Sequence, residues 1–322
     1  MSDNDLLLDA AVLQSIRSIR FQNSEAKSIT KKLFESDKDL RLLLNTEDLI
    51  GYTSQRGRVL RGKVRDLLRT QHRQEIKPAI VSAVDGISIL SANAEAAVIT
   101  RVAPVALDVL TPSAGFIKAF MRNRPFNGGI LSDWISLLER NDIERVFRRI
   151  QQGMIDGEAT EAIVQGVLGT RSLAYRDGMR HVTRTGAEML VRTAINHASS
   201  SARMALWQQN SHIIKAYQWV SVLDTNTSAI CRSRDGKVWK LGGGPIPPAH
   251  PNCRSTIAAL MKGAAARKVT YNDWLVRQPD SVIREALGPK RFDLWEAGDF
   301  DVGDFINDKG IRLTLDELQA LA

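Results

Sequence analysis

The stretch Glu188-Met-Leu-Val-Arg-Thr-Ala-Ile-Asn-His-Ala-Ser-Ser-Ser-Ala-Arg-Met-Ala-Leu-Trp-Gln-Gln209 decides the fold class. Apolar side chains recur in it every three or four residues, which is the spacing of one face of an α-helix. This apolar face comprises Val191, Ile195, Ala198, Ala202 and Ala205. A neighbouring polar stripe comprises Arg192, Asn196, Ser199 and Arg203. The alanines predict close packing against another helix.

Upstream of this segment the chain has the composition of a helical protein. Residues 1 to about 200 contain long stretches without proline that are rich in Leu, Ala, Arg, Glu and Gln, which are good helix formers. We expect helices over 24–44 and 74–108, and further helices beginning at Ser132 and lying within 157–169. Residues 46–48 are expected to cap a separate helix.

The composition changes after Asn210. Residues 215–222 are rich in aromatic and β-branched side chains and predict a strand, and residues 237–240 predict its partner. Trp219 and Trp239 are expected to pack across this pair. The sequence therefore predicts a mainly α fold with a small β-hairpin/loop module (α+β) of two or three strands near 213–256.

The tail returns to helical patterns. Asp280 is expected to cap a helix that ends at Gly288-Pro289, and Thr314-Leu-Asp-Glu317 has the pattern of a capping box. We therefore predict a short helical tail.

Length and composition bound the class of protein. A chain of 322 residues predicts two or three domains. No apolar run reaches roughly 18 residues, so no transmembrane segment is expected, and the acidic N-terminus does not resemble a signal peptide. The net charge of +8 weakly favours a polyanionic partner such as nucleic acid. Two cysteines are too few for a disulfide scaffold and fit a reducing cytoplasm.

Both cysteines lie in one loop-rich segment. Cys231 is followed by a proline-flanked His250-Pro-Asn-Cys253, and thiolates and imidazole are preferred ligands of zinc. A fourth ligand would come from Asp224, from His212 or from water. Three alternatives stay open: a zinc site, a hydrogen-bonded cluster of free thiols, and a disulfide, which a reducing compartment disfavours. The paired Cys-x-x-Cys spacing of common zinc modules is absent.

Three motifs run through this segment. They are Asp224-x-x-Thr-Ser-x-x-Cys231, Asp235-Gly-Lys-Val-Trp239 and Pro248-Ala-His-Pro-Asn-Cys-Arg254. Together they resemble the signature of the phage Mu F-like head-morphogenesis family. That family's pattern ends in His-Pro-x-Cys-Arg-Cys, whereas this chain has Ser255 in the last place, which removes a potential metal ligand. Weaker matches extend the resemblance over about 130–322.

The resemblance implies a minor capsid protein of a bacteriophage virion and not an enzyme. It implies association with the portal protein, with other head proteins and with packaged double-stranded DNA, in head assembly, packaging or genome ejection. The implied location is the head interior at the portal vertex, after assembly in the host cytoplasm. Residues 131–262 would form the head-morphogenesis domain, between a helical region of unknown role (1–130) and a helical tail (263–322).

Two other functions compete with this one. The first is a zinc-dependent hydrolase or nuclease that uses Cys231, His250 and Cys253, with Asp224 or Asp235 as the base. Two thiolates are more usual in structural than in catalytic zinc sites.

The second is a simple basic DNA-binding module. Arginines at helical spacing within residues 56–77 would align along one helix face and attract phosphates without reading sequence. These arginines are Arg58, Arg61, Arg65 and Arg69. The alternative for such a charged face is simple solvation or contact with an acidic portal surface.

Overall fold

The computed structural model describes residues 3–47, 49, 53–102, 109–221, 227–261 and 274–298. Its helices are α1 (Asp3–Thr46), α2 (Ser54–Gln71), α3 (Lys77–Val102), α4 (Ala114–Asn123), α5 (Leu131–Ile155), α6 (Thr160–Leu168), α7 (Met179–Gln209), α8 (Ala229–Arg234), α9 (Asp280–Leu287) and α10 (Pro289–Glu296). Its strands are β1 (Ile214–Val220), β2 (Val238–Lys240) and β3 (Thr256–Met261). The prediction of a mainly α fold with a small β module is confirmed. None of the described helices is both long and apolar enough to span a membrane.

The first helix is much longer than predicted. It begins at Asp3 and not at Ser24, and it continues without a break for 44 residues. The predicted cap at residues 46–48 is also wrong, because Thr46 is the last residue of α1. Its hydroxyl donates back to the carbonyls of Leu42 and Leu43, a bond that threonine readily makes within a helix. The cap of α2 is Thr53, whose side chain accepts from the Arg56 amide.

The chain forms two compact units, each assembled from separate stretches. Unit 1 comprises residues 1–20, 87–121 and 196–322, and unit 2 comprises residues 21–86 and 122–195. The sequence-based segments 1–130, 131–262 and 263–322 remain a prediction. Three expected features lie wholly or partly outside the described residues. They are the capping pattern at 314–317, the end of the helix expected over 74–108, and Asp48 of the expected cap.

Unit 2 has an apolar core among α2, α5 and α6. Leu60, Val64 and Leu68 from α2 are buried at the spacing of one helix face. They share a cluster with Val146 and Ile150 of α5 and with the buried face of α6. A π-helical turn, His72–Ile76, follows α2 directly and leads into α3.

Unit 2 also buries an ionic network. The guanidinium of Arg180 pairs with Asp37, with 2.7 Å between Nε and Oδ1, and with Asp142. Arg184 reaches the other oxygen of Asp37 at 2.8 Å, and Nε2 of His72 donates to Asp142 at 2.8 Å. Each buried charge therefore faces an opposite charge, which is the condition for tolerating it in an interior.

The pKa values of the two carboxyl groups in this network are shifted in opposite directions. Burial alone raises the pKa of Asp142, but Arg180 and the hydrogen bonds from His72 and Thr183 outweigh it and hold the pKa well below its usual range. Burial raises the pKa of Asp37, and its two arginine partners offset only part of that rise.

Unit 1 contains the antiparallel sheet, whose strand order is β2-β1-β3. The predicted pairing of the first two strands is confirmed, with Tyr217 opposite Trp239, and β3 supplies a third strand. Trp219 and Trp239 meet edge to face with 6.5 Å between their ring centroids, so these two rings pack across the pair as expected. Behind the sheet, Trp207 of α7 stacks on Tyr217 at 6.3 Å.

The apolar stripe of α7 is buried as predicted, but so is most of its polar stripe. Arg203 is 1% exposed; its Nε lies 2.9 Å from Oε2 of Glu95, and its Nη1 donates to Oγ1 of Thr256 at 3.0 Å. The same Glu95 accepts from the indole of Trp207 at 2.9 Å. The polar side of α7 is therefore a hydrogen-bonded interior and not a solvated surface.

Candidate metal centre

Cys231 lies on α8, a helix of only six residues whose two ends are fixed by side chains. Ser228 caps the start, accepting from the Cys231 amide at 3.4 Å. At the other end, Oδ1 of Asp235 accepts from the amide of Ser221 at 2.8 Å, just after β1. Gly236 then adopts a left-handed φ of 73°, which glycine takes without strain, and the chain returns to β2. The motif residues Ser228, Asp235 and Gly236 thus position Cys231.

His250 and Cys253 lie on the turn that leads into β3. The Cys253 amide donates to the His250 carbonyl at 3.2 Å, and Asn252 takes a left-handed φ of 57° between them. From α7, the side-chain amide of Asn196 donates to the carbonyl of Cys253 and, at 3.3 Å, to that of Ser255. Sequence analysis assigned Asn196 only to a polar stripe; its role in holding this turn was not foreseen.

The three predicted ligands come together in space. Sγ of Cys231 lies 3.3 Å from Nε2 of His250 and 3.7 Å from Sγ of Cys253. All three potential ligand atoms lie within 4.8 Å of one another. Nδ1 of His250 faces the Pro251 carbonyl at 2.8 Å, and a carbonyl can only accept. Nδ1 therefore carries a proton, which leaves Nε2 as the ring atom that faces the sulfur of Cys231.

The geometry bears on the alternatives that the sequence left open. A disulfide needs the two sulfur atoms about 2.05 Å apart, whereas the sulfur atoms of Cys231 and Cys253 lie 3.7 Å apart and both cysteines are free. His212 is exposed and lies outside this group of ligand atoms. Asp224, the predicted fourth ligand, lies outside the described residues. A zinc site and a free-thiol cluster are the two alternatives compatible with these positions.

The pKa values of the two cysteines are shifted in opposite directions. A hydrogen bond from Cys253 lowers the pKa of Cys231 to about 4; burial opposes this shift, and hydrogen bonds from Ser228, Ser255 and His250 add to it. The same bond to Cys231, together with burial, raises the pKa of Cys253 well above its ordinary value. In the absence of a cation, Cys231 is therefore the thiolate and Cys253 the donor.

A small polar recess adjoins the cluster. The described residues that line it with Cys231 and His250 are Thr227, Ser228, Asn252, Arg254 and Ser255. Its volume of about 10 Å³ suits a single water molecule. Ser255, which stands in the last place of the sequence motif, thus lies beside the cluster.

The predicted basic residues lie on α2 in unit 2. Arg58 is exposed, and Arg65 pairs with its neighbour Asp66 at 3.1 Å. Arg61 pairs with Glu144 of α5, and Arg69 pairs with Glu139 of α5 at 3.2 Å. Arg58, Arg61 and Arg65 are exposed, and Arg61 and Arg69 have carboxylate partners within the protein.

Fold and site together define a mainly helical protein whose small antiparallel sheet supports a cysteine–histidine cluster. Residues 144–258 of this chain match the family model described as Phage Mu protein F like protein. The match runs from within α5 to within β3 and includes both cysteines, so the resemblance drawn from the motifs is confirmed. Neither the curated proteins nor the solved structures contain a match to this chain.

Proposed function

We propose that this chain is a minor head protein of a bacteriophage and acts with other head proteins in head morphogenesis. The observation that carries the proposal is the match of residues 144–258 to the Mu F-like family. The structure of that region supports it, because motif residues and a residue of α7 fix one compact module. Ser228 caps α8, Asp235 joins α8 to β1, and Asn196 holds the turn before β3.

Within the virion we propose a place at the portal vertex, in the head interior, reached by assembly in the host cytoplasm. The partners would be the portal protein and packaged double-stranded DNA, during assembly, packaging or ejection. The net charge of +8 and the solvated arginines of α2 suit contact with a polyanion. Contact with an acidic surface of the portal would use the same charges.

The recess beside Cys231 favours this assembly role over a zinc-dependent hydrolase or nuclease. Among the described residues the recess has a volume of about 10 Å³, whereas ligand pockets usually have volumes of roughly 300–1,000 Å³. The side chains of Ser228, Asp235 and Asn196 also form hydrogen bonds within the protein, which supports a structural role for them.

The test is whether the chain is a component of the particle. We expect mass spectrometry of purified virions to detect it in few copies, and we expect it to co-sediment with rings of the same phage's portal protein. A phage carrying a stop codon early in this gene should yield defective or uninfectious heads. Absence from mature particles together with failure to co-sediment would overturn the proposal.

Contact with DNA has its own test. Replacing both Arg58 and Arg65 with Gln leaves the ion pairs of α2 with α5 intact. If both arginines contact phosphates, the slope of log affinity against log salt should fall by roughly 2. The matched control replaces the exposed Lys27 and Lys31 of α1 with Gln. Equal DNA affinity of the two double variants would eliminate this face as the DNA contact and leave the portal test standing.

A further inference from the structure

We propose that Cys231, His250 and Cys253 bind one zinc ion, which is structural and stabilises the β module. This site is independent of the head-assembly role and would exist whatever partner the chain binds. Its ligands come from α8 and from the turn before β3, two segments that are separated along the chain but adjacent in unit 1.

The distances between the ligand atoms fit a tetrahedral zinc ion. Bond lengths of about 2.3 Å to sulfur and about 2.0 Å to nitrogen place two sulfur ligands roughly 3.8 Å apart, and a sulfur and a nitrogen roughly 3.5 Å apart. The observed separations are 3.7 Å between the sulfur atoms and 3.3 Å between Cys231 Sγ and His250 Nε2. These two separations are within a few tenths of an ångström of the tetrahedral values, and the ligand atoms of His250 and Cys253 lie within 4.8 Å of each other.

The surroundings of the ligands are those of a built metal site. A metal-binding histidine usually donates its second ring N–H to a carbonyl or carboxylate, and Nδ1 of His250 does so to Pro251 at 2.8 Å. Asn196 fixes the backbone on both sides of Arg254. Both cysteines are buried, so the thiolates would be shielded from solvent and oxidants.

A fourth ligand could come from the polar recess, which Cys231 and His250 both line. The recess has room for one water molecule, and Ser255 lines it together with Cys231 and His250. A cysteine at position 255 would therefore add a third thiolate to the same site. Asp224 is the fourth ligand suggested by sequence, and it lies outside the described residues.

The expected role of the zinc ion is to cross-link α8 to the turn before β3. Because the three ligands are together only in the folded protein, the ion binds the native state and shifts the unfolding equilibrium toward it. Zinc should thus raise the melting temperature of the chain, and a strong chelator should lower it.

The first experiment measures metal content and coordination in the full chain. Reduced protein purified in the presence of zinc should contain about one zinc per chain by elemental analysis, and cobalt(II) should give thiolate charge-transfer and tetrahedral d–d absorption. Cys231→Ser and His250→Ala should each lower zinc affinity at least tenfold. His212→Ala, which removes an exposed histidine outside the cluster, should bind zinc as the wild type does.

The second experiment replaces Ser255, which lines the recess. Ser255→Cys should tighten zinc binding at least tenfold in competition with a chromophoric chelator, whereas Ser255→Ala should stay within a few-fold of the wild type. If a serine variant of either cysteine fails to fold, alkylation rates of the wild-type thiols provide the readout. Added zinc should slow the modification of both.

Three results would overturn the inference. One is a reduced, folded chain that binds neither zinc nor cobalt. Another is unchanged zinc affinity in both Cys231→Ser and His250→Ala. The third is a purified chain whose two cysteines are joined as a disulfide under cytoplasmic redox conditions.

Discussion

Two arginines of α7 and two arginines of α2 occupy opposite environments. Arg180 and Arg203 of α7 are each 1% exposed and are held by buried carboxylates. Arg61 and Arg65 of α2 each have side chains that are 48% exposed. On α7 these guanidinium groups pair with buried carboxylates, whereas on α2 they are accessible to solvent.

This difference shows what helical periodicity can and cannot specify. Spacing identifies which residues share a face, but a face of mixed polar residues can be covered by another part of the protein that supplies matching charges. For α7 those charges are Asp37 and Asp142 in unit 2 and Glu95 in unit 1. Because removal of a buried charge leaves its partners unpaired, substitutions on the two helices should differ strongly in cost.

The largest effect is expected for Arg180→Leu. It leaves Asp37 and Asp142 without their principal counter-charge in a buried site, so the free energy of unfolding should fall by about 3–5 kcal/mol. Urea denaturation followed by circular dichroism measures the change.

The matched control for that substitution is Arg65→Leu on α2, whose described partner is the exposed neighbour Asp66. Its cost should stay within about 0.5 kcal/mol. Comparable losses in the two variants would remove the distinction between the helices.

An intermediate effect is expected from acid. The pKa of Asp142 is lower in the folded than in the unfolded protein, so unfolding takes up a proton and stability falls with pH. The contribution is fully present above the unfolded pKa, near 4, and is lost as pH falls below it toward the folded pKa. Denaturation midpoints measured between pH 6 and pH 3 should show this loss.

Asp142→Asn isolates that contribution, because the raised pKa of Asp37 acts in the opposite sense. The variant should be less stable at pH 6, and the difference from the wild type should shrink as the pH falls toward 3. A constant difference across this range would show that Asp142 does not supply the acid sensitivity.

The smallest effect is expected for Arg69→Gln. Its ion pair with Glu139 is half-exposed and largely screened by solvent, so about 0.2–1 kcal/mol should be lost. High salt should reduce the difference from the wild type further. A loss above 2 kcal/mol would mean that the α2–α5 contact depends on this pair.

Much of the architecture was predictable from local patterns. The aromatic and β-branched run at 215–222 and the turn at Asp235-Gly236 specified two strands and their pairing. The apolar stripe of α7 specified its buried side. In the site, the proline-flanked His250 and Cys253 and the distant Cys231 did come together.

What local patterns could not give depended on distant partners. Ser24 looked like a helix start, but the preceding residues also carry an apolar face and are buried with parts of the chain that lie far away in sequence. Leu7 joins the cluster of Trp207 and Tyr217, and Val12 joins that of Trp274. The role of Asn196 at the cluster likewise depends on the turn that it meets 57 positions later.

The strand order β2-β1-β3 also constrains how the chain is made. Both strands that flank β1 come later in the chain, and β3, of which five of the six residues are buried, is synthesised only after residues 221–255. The sulfur atoms of the cluster therefore cannot be held in place until translation has passed residue 256. A nascent chain stalled earlier would expose the apolar side of β1 and a reactive thiol, and would be a natural substrate for chaperones and proteases.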